Sequence, residues 1–119
     1  MNVEIDYKAL DGIAALQRPN KPNLLERVVG LFESESPKCI AQILDGVASG
    51  DLDLVRMGSH SLKSSSANIG AVDLSTRCRD IESAARNNDL ATCVKLTDQL
   101  MSEFDASALG IRQYMEKAA

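Results

Sequence analysis

The chain has 119 residues, a formal charge of -4, 45% hydrophobic and 25% charged residues, and a single histidine. That size and composition describe one soluble globular domain with a single core, not a disordered chain. The acidic balance, with two Phe, two Tyr and no Trp, excludes the basic, aromatic-studded face of a nucleic-acid binder. No apolar run approaches the roughly 20 residues of a membrane helix, and the opening MNVEIDYKAL lacks a charged-then-apolar leader. A cytoplasmic chain without direct membrane contact is expected. Cys39, Cys78 and Cys93 have no CxxC spacing and read as reduced core residues. One His and scattered Cys offer no metal-ligand cluster and no cofactor site.

In chain order, Asp6 caps a short helix over Tyr7 to Gln17, with Leu10, Ile13 and Ala14 on one side. Arg18 to Pro22 is a turn, and Pro22 suits the first position of a helix running to about Ser34 on Leu25, Val28, Val29 and Phe32. Ser36-Pro37 is a stop-and-restart signal. Cys39, Ile40, Ile43, Leu44 and Val47 then mark an amphipathic helix ending at Ser49-Gly50. Asp51 and Gly70 bracket a helix from Leu52 to Ile69. The next helix, about Val72 to Asn87, has its seam on Leu74, Cys78, Ile81 and Ala85. Asp89 caps a last helix carrying Cys93, Leu96, Leu100, Phe104, Ala108, Ile111 and Met115, with Gly110 weakening its final two turns. No strand pattern appears. The expected fold is all-α: an antiparallel up-and-down four-helix bundle, its core over about residues 22–117, with a short extra N-terminal helix and one domain over 1–119.

The helix from Leu52 to Ile69 holds the histidine. At about 100° per residue, Val55, Leu62, Ser66 and Ile69 share one sector and His60 lies roughly 160° from Leu62. Arg56, Lys63 and Ser64 share the histidine's face. Two readings compete. His60 is a solvated surface residue, or it is a nucleophile on an open helix face. The second needs an accessible ring nitrogen, a cation within a turn to offset phosphate charge, and small neighbours that admit another protein. All three are present.

Antiparallel geometry adds a partner. His60 lies about 15 Å before Gly70, so residues at matching depth on the next helix fall near position 81 or 82. Ile81 belongs to the seam and Glu82 flanks it. Either Glu82 accepts a hydrogen bond from the imidazole Nδ1–H, leaving Nε2 free and facing outward, or it only pairs with Arg86 across one turn. Arg86 would add a third cation, and such a locally positive face on a negative chain would be drawn to an acidic pocket on a partner.

The run from His60 to Ala71, HSLKSSSANIGA, resembles the signature of histidine-containing phosphotransfer (HPt) domains of bacterial multistep phosphorelays, usually His-x-Leu-Lys-Gly-Ser-(small)-Ala-x-(Leu/Ile)-Gly-Ala. The similarity continues through Leu74, Cys78, Ile81-Glu82, Ala84-Ala85-Arg86 and Asp89. The resemblance implies a four-helix bundle that relays phosphoryl groups, with His60 phosphorylated, Lys63 on the phosphoryl oxygens and Glu82 near the imidazole. Ser64 stands where the family usually has Gly, adding a hydroxymethyl group beside the histidine. Arg56, Met57, Ser59, Ala67 and Arg86 are the expected partner-binding residues.

These features predict a phosphocarrier that shuttles a phosphoryl group between receiver-domain aspartates through His60. No nucleotide loop or carboxylate cluster is present, so Mg²⁺ would be supplied by the partner receiver domain. The partners implied are response-regulator receivers and a hybrid sensor histidine kinase, of which the chain could be the soluble C-terminal domain, and an open face favours a monomer. The rival is a helical interaction module that docks to a receiver or kinase and inhibits it without being phosphorylated; the presence of His60 and Lys63 counts against it.

Overall fold

Burial of one apolar stripe per helix organises the chain. The computed structural model describes residues 2–118. It contains α1 (Tyr7–Ala14), α2 (Leu24–Ser49), α3 (Leu52–Asn68), α4 (Val72–Arg86), α5 (Leu90–Thr97) and α6 (Leu100–Ala118). Among the described residues there is no strand, only an isolated antiparallel bridge between Ile5 and Ala71. The helices form an elongated bundle of 48 × 26 × 18 Å. Val29, Ile43, Val55, Leu62, Leu74, Ile81, Leu100 and Ile111 are fully buried at its centre, each contributing about 1.5–3 kcal/mol.

Most of the sequence-derived boundaries are reproduced, with their chemistry. Asp6, Asp51 and Asp89 cap α1, α3 and α5, their carboxylates accepting from the backbone N–H of Lys8, Leu54 and Thr92. Two helices differ. The Ser36-Pro37 signal does not divide α2, which runs unbroken for 26 residues with Pro37 inside it. An interior proline costs about 3 kcal/mol. The buried positions Val29, Phe32, Ser36, Ile40 and Ile43 nevertheless continue at helical spacing straight through it, and burying that shared stripe outweighs the local cost. The helix also starts later than expected, at Leu24, because the Asn23 side chain caps it by accepting from Glu26 N at 3.0 Å.

The last predicted helix is two. Asp98 and Gln99 interrupt it, where the Thr97 hydroxyl bonds the Val94 carbonyl at 3.2 Å and a Thr-Asp pair disfavours helix. Gly110 does not interrupt α6. Leu44, expected on the inner face, is 43% exposed, and Cys39 is only half-buried, whereas Cys78 and Cys93 are core residues. Burial pushes the Cys78 thiol up to about 12.

Two features fix how α3 sits. On one side α2 approaches it closely at Gly46, where an added Cβ would lie 2.7 Å from Val55 Cγ2 and 2.9 Å from the Asp51 carbonyl oxygen. At its end Gly70 turns the chain into α4 with φ +83. Residues 4–6 run along that turn: Asp6 N–H donates to the Gly70 carbonyl at 2.7 Å, Val72 N–H to the Glu4 carbonyl at 3.2 Å, and Glu4 N–H to Asp73 Oδ2 at 2.9 Å. Across the bundle, Arg112 of α6 donates to Glu26 and Glu33 of α2.

Gly46→Ala is expected to destabilise the protein by about 2 kcal/mol, because the neighbours it meets include backbone atoms that cannot swing aside. Gly30→Ala, with nothing within 4 Å of the added methyl, should instead stabilise by up to about 1 kcal/mol through helix propensity. Urea denaturation of both variants checks the pair.

Candidate functional site

The outer face of α3 presents His60 with its side chain 57% exposed, because the opposite face is held by Val55, Leu62 and Ser66, all buried. Across the α3–α4 interface, Glu82 is only 4% exposed. Its Oε2 lies 2.8 Å from His60 Nδ1, its Oε1 accepts from Lys63 Nζ at 2.6 Å, and Arg86 Nη2 donates to Oε2 at 3.0 Å. Glu82 therefore meets the imidazole, and the reading in which it only pairs with Arg86 is corrected, although that pair is also present. An ionised carboxylate only accepts, so in the neutral ring the hydrogen sits on Nδ1. Nε2 is the nitrogen left with a lone pair.

The electrostatics follow from that contact set. Burial alone would raise the Glu82 carboxyl, but hydrogen bonds from Lys63, Arg86 and His60 outweigh it and hold the group down at about 2. A buried carboxylate without such donors would be strongly destabilising; with three, it ties α3 to α4 at a single height. The Lys63 carbonyl also accepts from the Ser75 hydroxyl of α4 at 3.2 Å, a second tie at the same interface. Ser75 was not among the residues singled out from sequence. The depth counting that reached Glu82 lands within about one turn of it, but a serine on a helix is too common to stand out.

The remaining candidate residues divide. Met57 is 52% exposed, Ser64 and Ala67 are exposed, and Arg56 is half-exposed with Asp53 at 4.0 Å; all lie on the accessible side of α3. Ser59 does not. It is fully buried, its hydroxyl donating to the Val55 carbonyl at 2.7 Å, so the expectation that it contacts a partner is corrected. One residue short of the histidine on a 100° wheel, its side chain turns into the bundle. Among the described residues no group of three or more His, Cys, Asp or Glu is placed to hold a metal ion, and no helix is long and apolar enough to cross a membrane.

The depressed Glu82 pKa has a defined consequence for stability. The folded state holds this proton less tightly than the unfolded chain, so the contribution is complete above about pH 4.5 and is lost as pH falls towards 2. By linkage it amounts to about 3 kcal/mol. Glu82→Gln should therefore be less stable than the parent at pH 7, and the gap should close as pH drops through that window. Urea denaturation at stepped pH measures it.

Comparison with known proteins identifies the fold and the family. The profile of the Hpt domain matches residues 27–115. Histidine-containing phosphotransfer protein 4 of Arabidopsis thaliana is 27% identical over 103 residues, which cover 85% of this chain and 81% of that protein. Among solved structures, the histidine-containing phosphotransfer protein HptB of Pseudomonas aeruginosa superposes with a TM-score of 0.83 at 23% identity, covering 95% of each chain. A maize histidine-containing phosphotransfer protein gives 0.74 at 21% identity, covering 93% of this chain and 86% of its own. The structural likeness establishes the shared helical-bundle fold, and the profile match across three-quarters of the sequence establishes the family: this chain belongs to the Hpt domain family.

Proposed function

We propose that this protein relays a phosphoryl group through His60 between receiver-domain aspartates of a phosphorelay. The observation that carries the reading is an exposed imidazole whose Nδ1 is held by a buried carboxylate, which leaves Nε2 with its lone pair, and which has an ammonium group one turn away. In the transfer, the Nε2 lone pair forms a bond to phosphorus in line with the aspartyl oxygen. The phosphorus–oxygen bond of the acyl phosphate breaks, and its electron pair returns to the aspartate as carboxylate. Nδ1 keeps its hydrogen throughout, and the positive charge that develops on the ring faces Glu82. Transfer onward to a second aspartate is the same step reversed.

Such chemistry depends on positioning and charge neutralisation. His60 supplies the nucleophile and Lys63 the cation; the acidic site and its Mg²⁺ would arrive with the receiver domain. The chain thus acts as a phosphocarrier, not as a kinase with its own nucleotide. Met57, Ala67, Arg56 and Arg86 border the histidine and form the surface a receiver would meet, the two arginines drawing it in by charge. We place the protein in the cytoplasm as a monomer, served by a hybrid sensor kinase.

Incubation with a phosphorylated receiver should give acid-labile, base-stable label on the parent chain and none on His60→Gln. Lys63→Gln should slow labelling about tenfold to hundredfold. An unlabelled parent that still binds the receiver would favour the inhibitory interaction module instead. Ser64→Leu, at an exposed position, should abolish transfer by blocking approach to the imidazole while leaving the circular dichroism spectrum and melting curve unchanged. Glu82→Ala should shift the imidazole tautomer, read from ring ¹⁵N chemical shifts, and lower the phosphorylation rate.

A further inference from the structure

Ser64 is exposed, and its hydroxyl donates to the His60 carbonyl at 3.2 Å. In the α3 ladder that carbonyl already accepts the backbone N–H of Ser64 itself, so the hydroxyl makes a redundant bond to a satisfied group. Lys63 is in a different position. Its ammonium lies 2.6 Å from Glu82 Oε1, at a carboxylate whose side chain is 5% exposed. If Lys63 turned wholly towards an anion at His60, Glu82 would lose one of its three donors and a charge-assisted bond would be broken. If Ser64 turned, only the redundant bond would be given up.

Geometry places the two residues on either side of the histidine. Positions three and four ahead on a helix lie about 60° to one side and 40° to the other of the starting residue. Lys63 reaches Glu82 on α4, so α4 lies on its side and holds the ring there through Nδ1. Ser64, itself exposed, borders the other side of a ring that is 57% exposed.

We propose that Ser64 is a second ligand of the phosphoryl group on this particular chain: its hydroxyl leaves the His60 carbonyl and donates to a phosphoryl oxygen on Nε2, while Lys63 remains shared with Glu82. The proposal rests on phosphorylation at His60. It assigns a working role to the position where the family's usual glycine has no donor to offer. A donated hydrogen bond favours the more highly charged form of the phosphoryl group, so Ser64 should make that group release its last proton more readily.

The test needs no cognate partner. Phosphoramidate transfers its phosphoryl group to an imidazole nitrogen as its P–N bond breaks and ammonia leaves. The parent chain, Ser64→Ala, Ser64→Thr and His60→Gln are treated with it, and the phosphohistidine ³¹P resonance is followed through a pH titration. Ser64→Ala is expected to move the phosphoryl midpoint upward by roughly half a unit, and Ser64→Thr, which keeps the hydroxyl, to retain the parent value. Coincident curves for the parent and Ser64→Ala, with His60 labelled in both, overturn the role of Ser64 and leave phosphorylation at His60 standing. A Ser64→Thr curve that follows Ser64→Ala overturns it as well. If the parent acquires no phosphohistidine signal, or His60→Gln acquires the same one, both readings fall together.

Discussion

The carboxylate of Glu82 is the contact on which the site depends. It is nearly inaccessible to water, yet it holds a negative charge because an imidazole, an ammonium and a guanidinium all point at it. Each oxygen is used: one by Lys63, the other by His60 and Arg86. A single buried charge therefore orients the histidine ring, restrains the lysine and links two helices. The donors come from α3 and α4, so the arrangement exists only when those helices are packed at one height.

That height is set away from the histidine. The Gly70 turn fixes the path from α3 into α4, and the segment just before α1 lies along it with backbone hydrogen bonds on both sides. Gly46 lets α2 approach the opposite flank of α3 at backbone distance. The helix carrying His60 is thus gripped from two directions while its third face stays open. Rigid support beneath an exposed nucleophile suits a reaction in which most of the rate comes from alignment. It also explains how a chain with few aromatic residues can position a group well: close backbone packing and hydrogen bonds do what large side chains do elsewhere.

Charge at the open face has a local sign opposite to that of the whole protein. The chain carries -4 overall, but Lys63 and Arg86 against Glu82 leave a surplus positive charge beside the imidazole, with Arg56 one turn away and only distantly paired to Asp53. A phosphoryl group bound to a carboxylate is anionic, and so is the acidic pocket that holds it. Under the proposed function the local surplus would attract both, while the negative remainder would disfavour association elsewhere on the surface.

The amino-acid sequence by itself determined the all-helical class, the caps at Asp6, Asp51 and Asp89, and the outward direction of His60. Each follows from short-range chemistry or from the 3.6-residue period, which the chain cannot evade locally. Tertiary structure decided what local signals contradict or leave silent. Pro37 reads as a break, but a continuous buried stripe carries α2 through it; the stretch after Asp89 reads as one helix, but divides at Asp98. Ser59 is adjacent to the histidine in sequence yet buried, and Ser75 is remote in sequence yet bonded to the Lys63 carbonyl. For α2 and for Ser75 the energy lies in contacts between helices, whereas the break at Asp98 and the burial of Ser59 rest on local hydrogen bonds; a one-dimensional pattern reports which face a residue occupies but not what the opposing helix brings against it.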